Sequence, residues 1–97
     1  MKLKKNVGME TEVNIDALVK ESLGNQRKIV LYNDDVNTFD TVIESLKTYC
    51  KHTNEQAEQC AMIIHYKGKC SVKEGDFVDL IPIHGALISN NLTAEIE

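Results

Sequence analysis

The sequence has no excess of positive charge. Eleven Lys and Arg stand against fifteen Asp and Glu in 97 residues, a formal net charge of −4. General nucleic-acid binding needs a concentrated basic face, and so does adsorption to an anionic membrane; neither is expected here. No stretch approaches the ~18 consecutive apolar residues of a membrane-spanning helix. The opening MKLKKN is basic but has no apolar run behind it, so no secretory signal is read and a cytoplasmic chain is expected. Cysteine is sparse and odd in number: Cys50, Cys60 and Cys70 make no disulfide framework. Their even spacing of ten matches no repeat that builds an array. Phosphate-binding loops, dinucleotide fingerprints and nucleophile elbows are all missing. Cys50 and His52 are a close pair of metal-ligand types, but no second pair at the right spacing completes a zinc site. No metal or cofactor is therefore expected. Thiol catalysis is disfavoured too. Cys50 falls at a helix C-terminus, which raises a thiol pKa, and Cys60 and His65 lie five apart on one helix and do not face each other. At roughly 100–200 residues per domain, the chain is one small domain with a short tail, better sized for binding than for catalysis.

What is present divides the chain in two. Residues 1–26 hold four lysines and four acids and are neutral; residues 27–97 carry seven basic and eleven acidic groups and supply the whole −4. Ile15, Leu18, Val19 and Leu23 have helical spacing, but Gly24-Asn25 follow, and residues 1–26 read as a flexible N-terminal extension. Arg27 to Tyr32 is apolar and β-branched enough for a strand, ended by Asn33-Asp34-Asp35. A helix begins near Asn37 or Thr38 and shows an apolar stripe at Phe39, Val42, Ile43, Leu46, Tyr49 and Cys50. The next helix opens on the capping box Thr53-Asn54-Glu55-Gln56, lines one face with Ala57, Cys60, Ala61 and Ile64, and ends at Gly68. Cys70 to Lys73 makes a short strand. A third stripe runs Phe77, Leu80, Ile81, His84, Leu87, Ile88, interrupted by the single proline, Pro82, which either kinks a continuous helix or marks its first turn near Ile81. Leu92 to Glu97 alternates as a half-buried strand. The order is β-α-α-β-α-β, an α+β fold with a small antiparallel three-stranded sheet packed against three helices.

Two features go beyond architecture. Asn33-Asp34-Asp35 is an ordinary acidic turn by composition. It also supplies amide and carboxylate acceptors that attract a cation. His65 ends an apolar helix face beside Ile64, as a partly buried histidine or as a ligand of a bound group.

At these residues the chain resembles the ClpS family, the adaptors of bacterial N-degron proteolysis. The match runs through Ile29-Val30-Leu31-Tyr32-Asn33-Asp34-Asp35, Val42-Ile43-Glu44-Ser45-Leu46 and Ala57. It is strongest at Ile64-His65-Tyr66-Lys67-Gly68-Lys69 and closes on Leu92 and Glu95-Ile96-Glu97. It covers residues 27–97, the expected core domain. The resemblance implies a non-enzymatic adaptor. It would bind the free α-ammonium of a substrate's N-terminal Leu, Phe, Tyr or Trp through Asn33, Asp34 and His65. The side chain would enter an apolar pocket walled by Val42, Ala61, Ile64 and Leu92, with Phe39 at its mouth. The implied partners are substrates with destabilising N-terminal residues and a Clp-type AAA+ unfoldase, ClpA-like or ClpC-like. The extension would help hand substrate over.

The departures are informative. The family usually has Pro-Met after the turn where this chain has Thr38-Phe39, and often a methionine in the pocket where Ala61 stands. These changes imply a narrower mouth over a deeper floor, favouring a large aromatic residue and disfavouring Ile or Val. At the unfoldase-docking surface Asp76 keeps an acidic position, but a lysine common nearby is replaced by Ile81. The alternative is a docking module on the same fold that binds no degron, with Phe39 plugging the pocket.

Overall fold

The computed structural model describes residues 26–97. The expected extension lies outside them except for Gln26, which belongs to the first strand. The elements are β1 (Gln26–Tyr32), α1 (Phe39–Tyr49), α2 (Asn54–Lys67), β2 (Lys69–Asp76), α3 (Phe77–Ser89) and β3 (Thr93–Ile96). This is the β-α-α-β-α-β order read from the sequence. The sheet is antiparallel in the order β2-β1-β3, with Tyr32 opposite both Lys69 and Thr93. α2 packs on β2, α3 packs on all three strands, and α1 packs on α2 and α3.

Local chemistry explains most of the boundaries. Thr38 caps α1, its side chain accepting from the backbone N–H of Thr41 at 3.1 Å. Thr53 and Gln56 form both bonds of the capping box that opens α2. Gly68 closes α2 at φ 95°, a left-handed conformation in which a glycine carries no Cβ penalty. Lys51 and Asn91 adopt the same region at φ 60° and 66° after α1 and α3. Lys51 bears a real steric cost there, whereas Asn tolerates it well.

Two expectations need correction, the length of β2 and the inner face of α3. β2 is twice the expected length because Lys69 to Asp76 pairs with the whole of β1, a tertiary contact that outweighs its polar composition. Its register shifts between Ile29 and Val30, leaving Val72 as the extra residue of a bulge. α3 is one continuous helix from Phe77 through Pro82, so of the two readings the continuous helix is adopted and the start near Ile81 is not; Pro82 lies on the exposed side. The α3 stripe is also different: Leu80 and Leu87 are buried and Ile83 packs against the core, while Phe77, Ile81 and Ile88 are exposed. The helix is apolar nearly all round, so periodicity did not single out its inner face.

The core gathers Ile29, Leu31, Leu46, Cys50, Leu80 and Leu87, each essentially fully buried. Two histidines bond strand carbonyls. His52 Nε2 lies 2.7 Å from the Val72 carbonyl at the bulge, and His84 Nε2 lies 2.8 Å from that of Ala94. The Cys50 thiol is pushed up to about 11, the direction expected, by burial against the opposing charge of Lys73.

Candidate functional site

The two halves of the sequence signal meet through the backbone. β1 ends at Tyr32, and the next residue, Asn33, donates its backbone N–H to the Gly68 carbonyl at 2.9 Å. Gly68 in turn donates to the Ile64 carbonyl at 2.9 Å as it caps α2. The turn after β1 is thereby fastened to the C-terminal end of α2. That is why Asn33 and Asp34 stand beside Ile64 and His65, thirty residues on.

The turn itself is built around Asp34. One carboxylate oxygen accepts the backbone N–H groups of Val36 and Asn37, each at 2.8 Å, and the other accepts the Asn37 side-chain amide at 3.0 Å. The same amide donates to the Asn91 carbonyl at 2.7 Å, which braces the turn against the end of α3. Partial burial alone raises the Asp34 carboxyl, but the hydrogen bonds from Asn37 and Val36 outweigh it and hold the group below its ordinary range. Asp34 is therefore an anion at neutral pH, with roughly one of about four carboxylate acceptor positions still open.

Above this turn lies a cleft of about 350 Å³, at the small end of the ~300–1,000 Å³ typical of ligand pockets. Asn33, Asp34, Asp35 and His65 give it one polar, acidic end. Phe39, Val42, Ala61 and Ile64 give it an apolar wall; Ala61 and Ile64 are buried and Val42 partly so. The Phe39 ring meets the His65 imidazole edge-on with centroids 6.3 Å apart, and Tyr66 meets it from another side at 4.8 Å. The imidazole is thus flanked by two aromatic edges.

Every residue expected at the site lines this cleft except Leu92. Leu92 is buried in the core instead, because its backbone follows Asn91 and donates to the Leu87 carbonyl in closing α3. Asp76 lies elsewhere, ahead of α3, and accepts the Gln26 side-chain amide at 2.8 Å. Asn37 and Thr38 also line the cleft. The sequence marked both only as helix caps, since nothing local shows that a capping side chain faces a cavity. A larger cleft of about 510 Å³ lies between Cys50, His52, Cys60 and Lys73. It holds none of the residues singled out for ammonium binding, so volume alone does not locate the site. Among the described residues no group of three metal-ligating side chains comes together, and no helix is long and apolar enough to cross a membrane.

The chain is similar to known proteins both in sequence and in fold. Residues 24–82 match the sequence model of the ATP-dependent Clp protease adaptor protein ClpS. The ATP-dependent Clp protease adapter protein ClpS of Shewanella halifaxensis is 35% identical over 60 residues, covering 62% of this chain and 57% of the relative. That of Shewanella pealeana is 43% identical over 42 residues, covering 43% and 41%. A segment of the E3 ubiquitin-protein ligase ubr-1 of Caenorhabditis elegans is 40% identical over 50 residues, 52% of this chain but 2% of the ligase. The chain thus spans about half the length of the curated adapters it matches, 57% of one and 41% of the other. In three dimensions it resembles Agrobacterium tumefaciens ClpS2 bound to L-phenylalaninamide, with a TM-score of 0.66 at 20% identity, covering 75% of this chain and 98% of that one. With more than half of its length matching the family model and the family's fold in place, the chain belongs to the family of the ATP-dependent Clp protease adaptor protein ClpS.

Proposed function

We propose that this chain is a non-enzymatic adaptor that binds the N-terminal Leu, Phe, Tyr or Trp of a substrate and delivers it to a Clp-type AAA+ unfoldase. One observation carries the reading: a single cleft joins an acidic, acceptor-rich end to an apolar wall. An ammonium group has three donors and a positive charge. Asn33 and a neutral His65 offer lone pairs, and Asp34 offers an anion already fixed by its turn. The side chain of the same residue then lies along Val42, Ala61 and Ile64. L-phenylalaninamide, the ligand of the ClpS2 relative, carries both features, a free α-amino group and an aromatic side chain.

Phe39 lines the cleft and leaves it open, which favours binding over the alternative of a plugged docking module. A bulky mouth over a small floor residue favours aromatic N-termini and rejects the β-branched Ile and Val. Asp76 and the start of α3 are the proposed docking surface for a ClpA- or ClpC-like unfoldase, and residues 1–26 the proposed hand-over segment. A cytoplasmic setting suits the three free cysteines.

Fluorescence anisotropy with short peptides differing in the first residue tests the reading. Phe, Tyr, Trp and Leu should bind well above Ile, Val and Gly. Affinity for all of them should fall in His65→Ala, which removes one acceptor of the ammonium. A flat ranking removes the side-chain pocket, and unchanged affinity in His65→Ala removes His65 from the site.

A further inference from the structure

The last turn of α2 carries three successive side chains from the core to the surface. Ile64 is buried, His65 stands at the polar end of the cleft, and Tyr66 is 73% exposed. At about 100° per residue, this order leads from the inner face of the helix over its rim to the outer face. Tyr66 takes no part in the wall of the cleft, yet its ring is held against the site. It meets the His65 imidazole with centroids 4.8 Å apart and planes at 79°. Phe39 meets the same imidazole at 6.3 Å, but as part of the cleft lining. A lone exposed tyrosine on a surface needs no explanation. This one is fixed beside the imidazole proposed to hold an ammonium, and its ring offers a large apolar face with a polar tip, the form favoured at binding surfaces.

We propose that Tyr66 reads the second residue of the bound N-terminus and favours an aromatic side chain there. The inference rests on the proposed reading of the cleft and deepens it. An α-amino group that hydrogen-bonds His65 lies about 3 Å from an imidazole nitrogen. The first Cα follows at about 1.5 Å and the second at about 3.8 Å beyond it. The second residue therefore stays within reach of the two rings that flank His65. Alternation along an extended chain decides which ring it meets, since successive side chains point to opposite sides. The first enters the cleft along Val42, Ala61 and Ile64, so the second points out of it, toward the outer face of α2 where Tyr66 stands. A Trp, Tyr or Phe at the second position packs there, offset or edge-on, at the centroid spacing of about 4.5–7 Å that aromatic pairs prefer. Phe39 shapes the mouth for the first residue, and Tyr66 sorts the second.

The test is fluorescence anisotropy of the full chain with peptides that all begin with Phe and differ only in the second residue. Phe-Trp and Phe-Tyr peptides should bind about 3–10-fold more tightly than the Phe-Ala peptide, the range expected of one aromatic pair. That ratio should collapse to parity in Tyr66→Ala and keep its wild-type value in Tyr66→Phe, which retains the ring. Both substitutions fall on a mostly exposed side chain, so the fold tolerates them. A residue that only steadied His65 would lower every affinity together and leave the ratio as it was; a ratio that survives in Tyr66→Ala overturns the proposal. Wild-type binding with no preference at the second position overturns it too, and leaves the reading of the first residue intact. Failure of every Phe-initiated peptide to bind sinks that reading, and this inference with it.

Discussion

Asp34 combines a local and a functional task. Its oxygens hold the turn through Val36 and Asn37, and its charge faces the cleft. Because the folded carboxyl titrates below its ordinary 3.8, its contribution to stability is complete above that value and is lost as pH falls through the lower folded one. Asp34→Ala should therefore lower stability at pH 7 in urea unfolding, and the gap from wild type should narrow in strong acid. A gap that stays constant into strong acid contradicts the assignment. Ala61 is the complementary residue. Enlarging it in Ala61→Met fills the floor of the cleft that Ala61 lines. Peptides beginning with Phe or Trp should bind at least about 10-fold more weakly, ~1.4 kcal/mol, in the anisotropy assay. At this scale composition left Asp34 an ordinary turn residue and His65 an ordinary helix-end histidine, and only the family resemblance singled them out. The sequence was not readable for Asn37, whose amide bonds both Asp34 and the Asn91 carbonyl from a position that looks like a simple cap. Nor did it separate Leu92 from the cleft wall, since alternation says that a side chain faces inward and not which side of the core it reaches.

Between elements, the decisive joint is the end of α2. Gly68 caps the helix in the left-handed region and its carbonyl holds Asn33 in place. A Cβ added there meets no atom within 4 Å, so crowding is not the obstacle. Gly68→Ala should still cost about 1–2 kcal/mol through backbone strain alone, and it should weaken peptide binding as the turn shifts. Lys51 presents the reverse case: at φ 60° it carries that strain already, and Lys51→Gly should stabilise the fold by up to about 1 kcal/mol in urea unfolding without altering binding. The helix starts were legible because Thr38 and Thr53 are capping residues followed by apolar periodicity. The length of β2 was not, because Lys, Glu and Asp alternate through it and only pairing with β1 makes it a strand. The inner face of α3 was hidden by an excess of apolar residues.

Across the whole molecule, a small acidic domain presents a cleft with one acidic end and one apolar wall where the turn after β1 meets the end of α2. The acidic balance lies wholly in residues 27–97, and Asp34 and Asp35 bring two of those charges to the cleft. Fold class and element order were legible before any coordinates from periodicity, caps and turns, whereas the pairing of Asn33-Asp34 with His65 was implied by the family resemblance alone. What required the structure was the backbone bond that joins the halves. The proposed delivery is tested at this scale: a reporter beginning with Phe should be degraded by a Clp unfoldase–protease only when the chain is added, and less well with Asp76→Ala. The central claim is that the cleft reads a positively charged N-terminus. It is tested most directly by comparing one Phe-initiated peptide with a free α-amino group against its N-acetylated form, by anisotropy at pH 7.5. Removing the charge and the donors together should weaken binding at least about 30-fold, ~2 kcal/mol. Equal affinity for the two peptides would contradict the account.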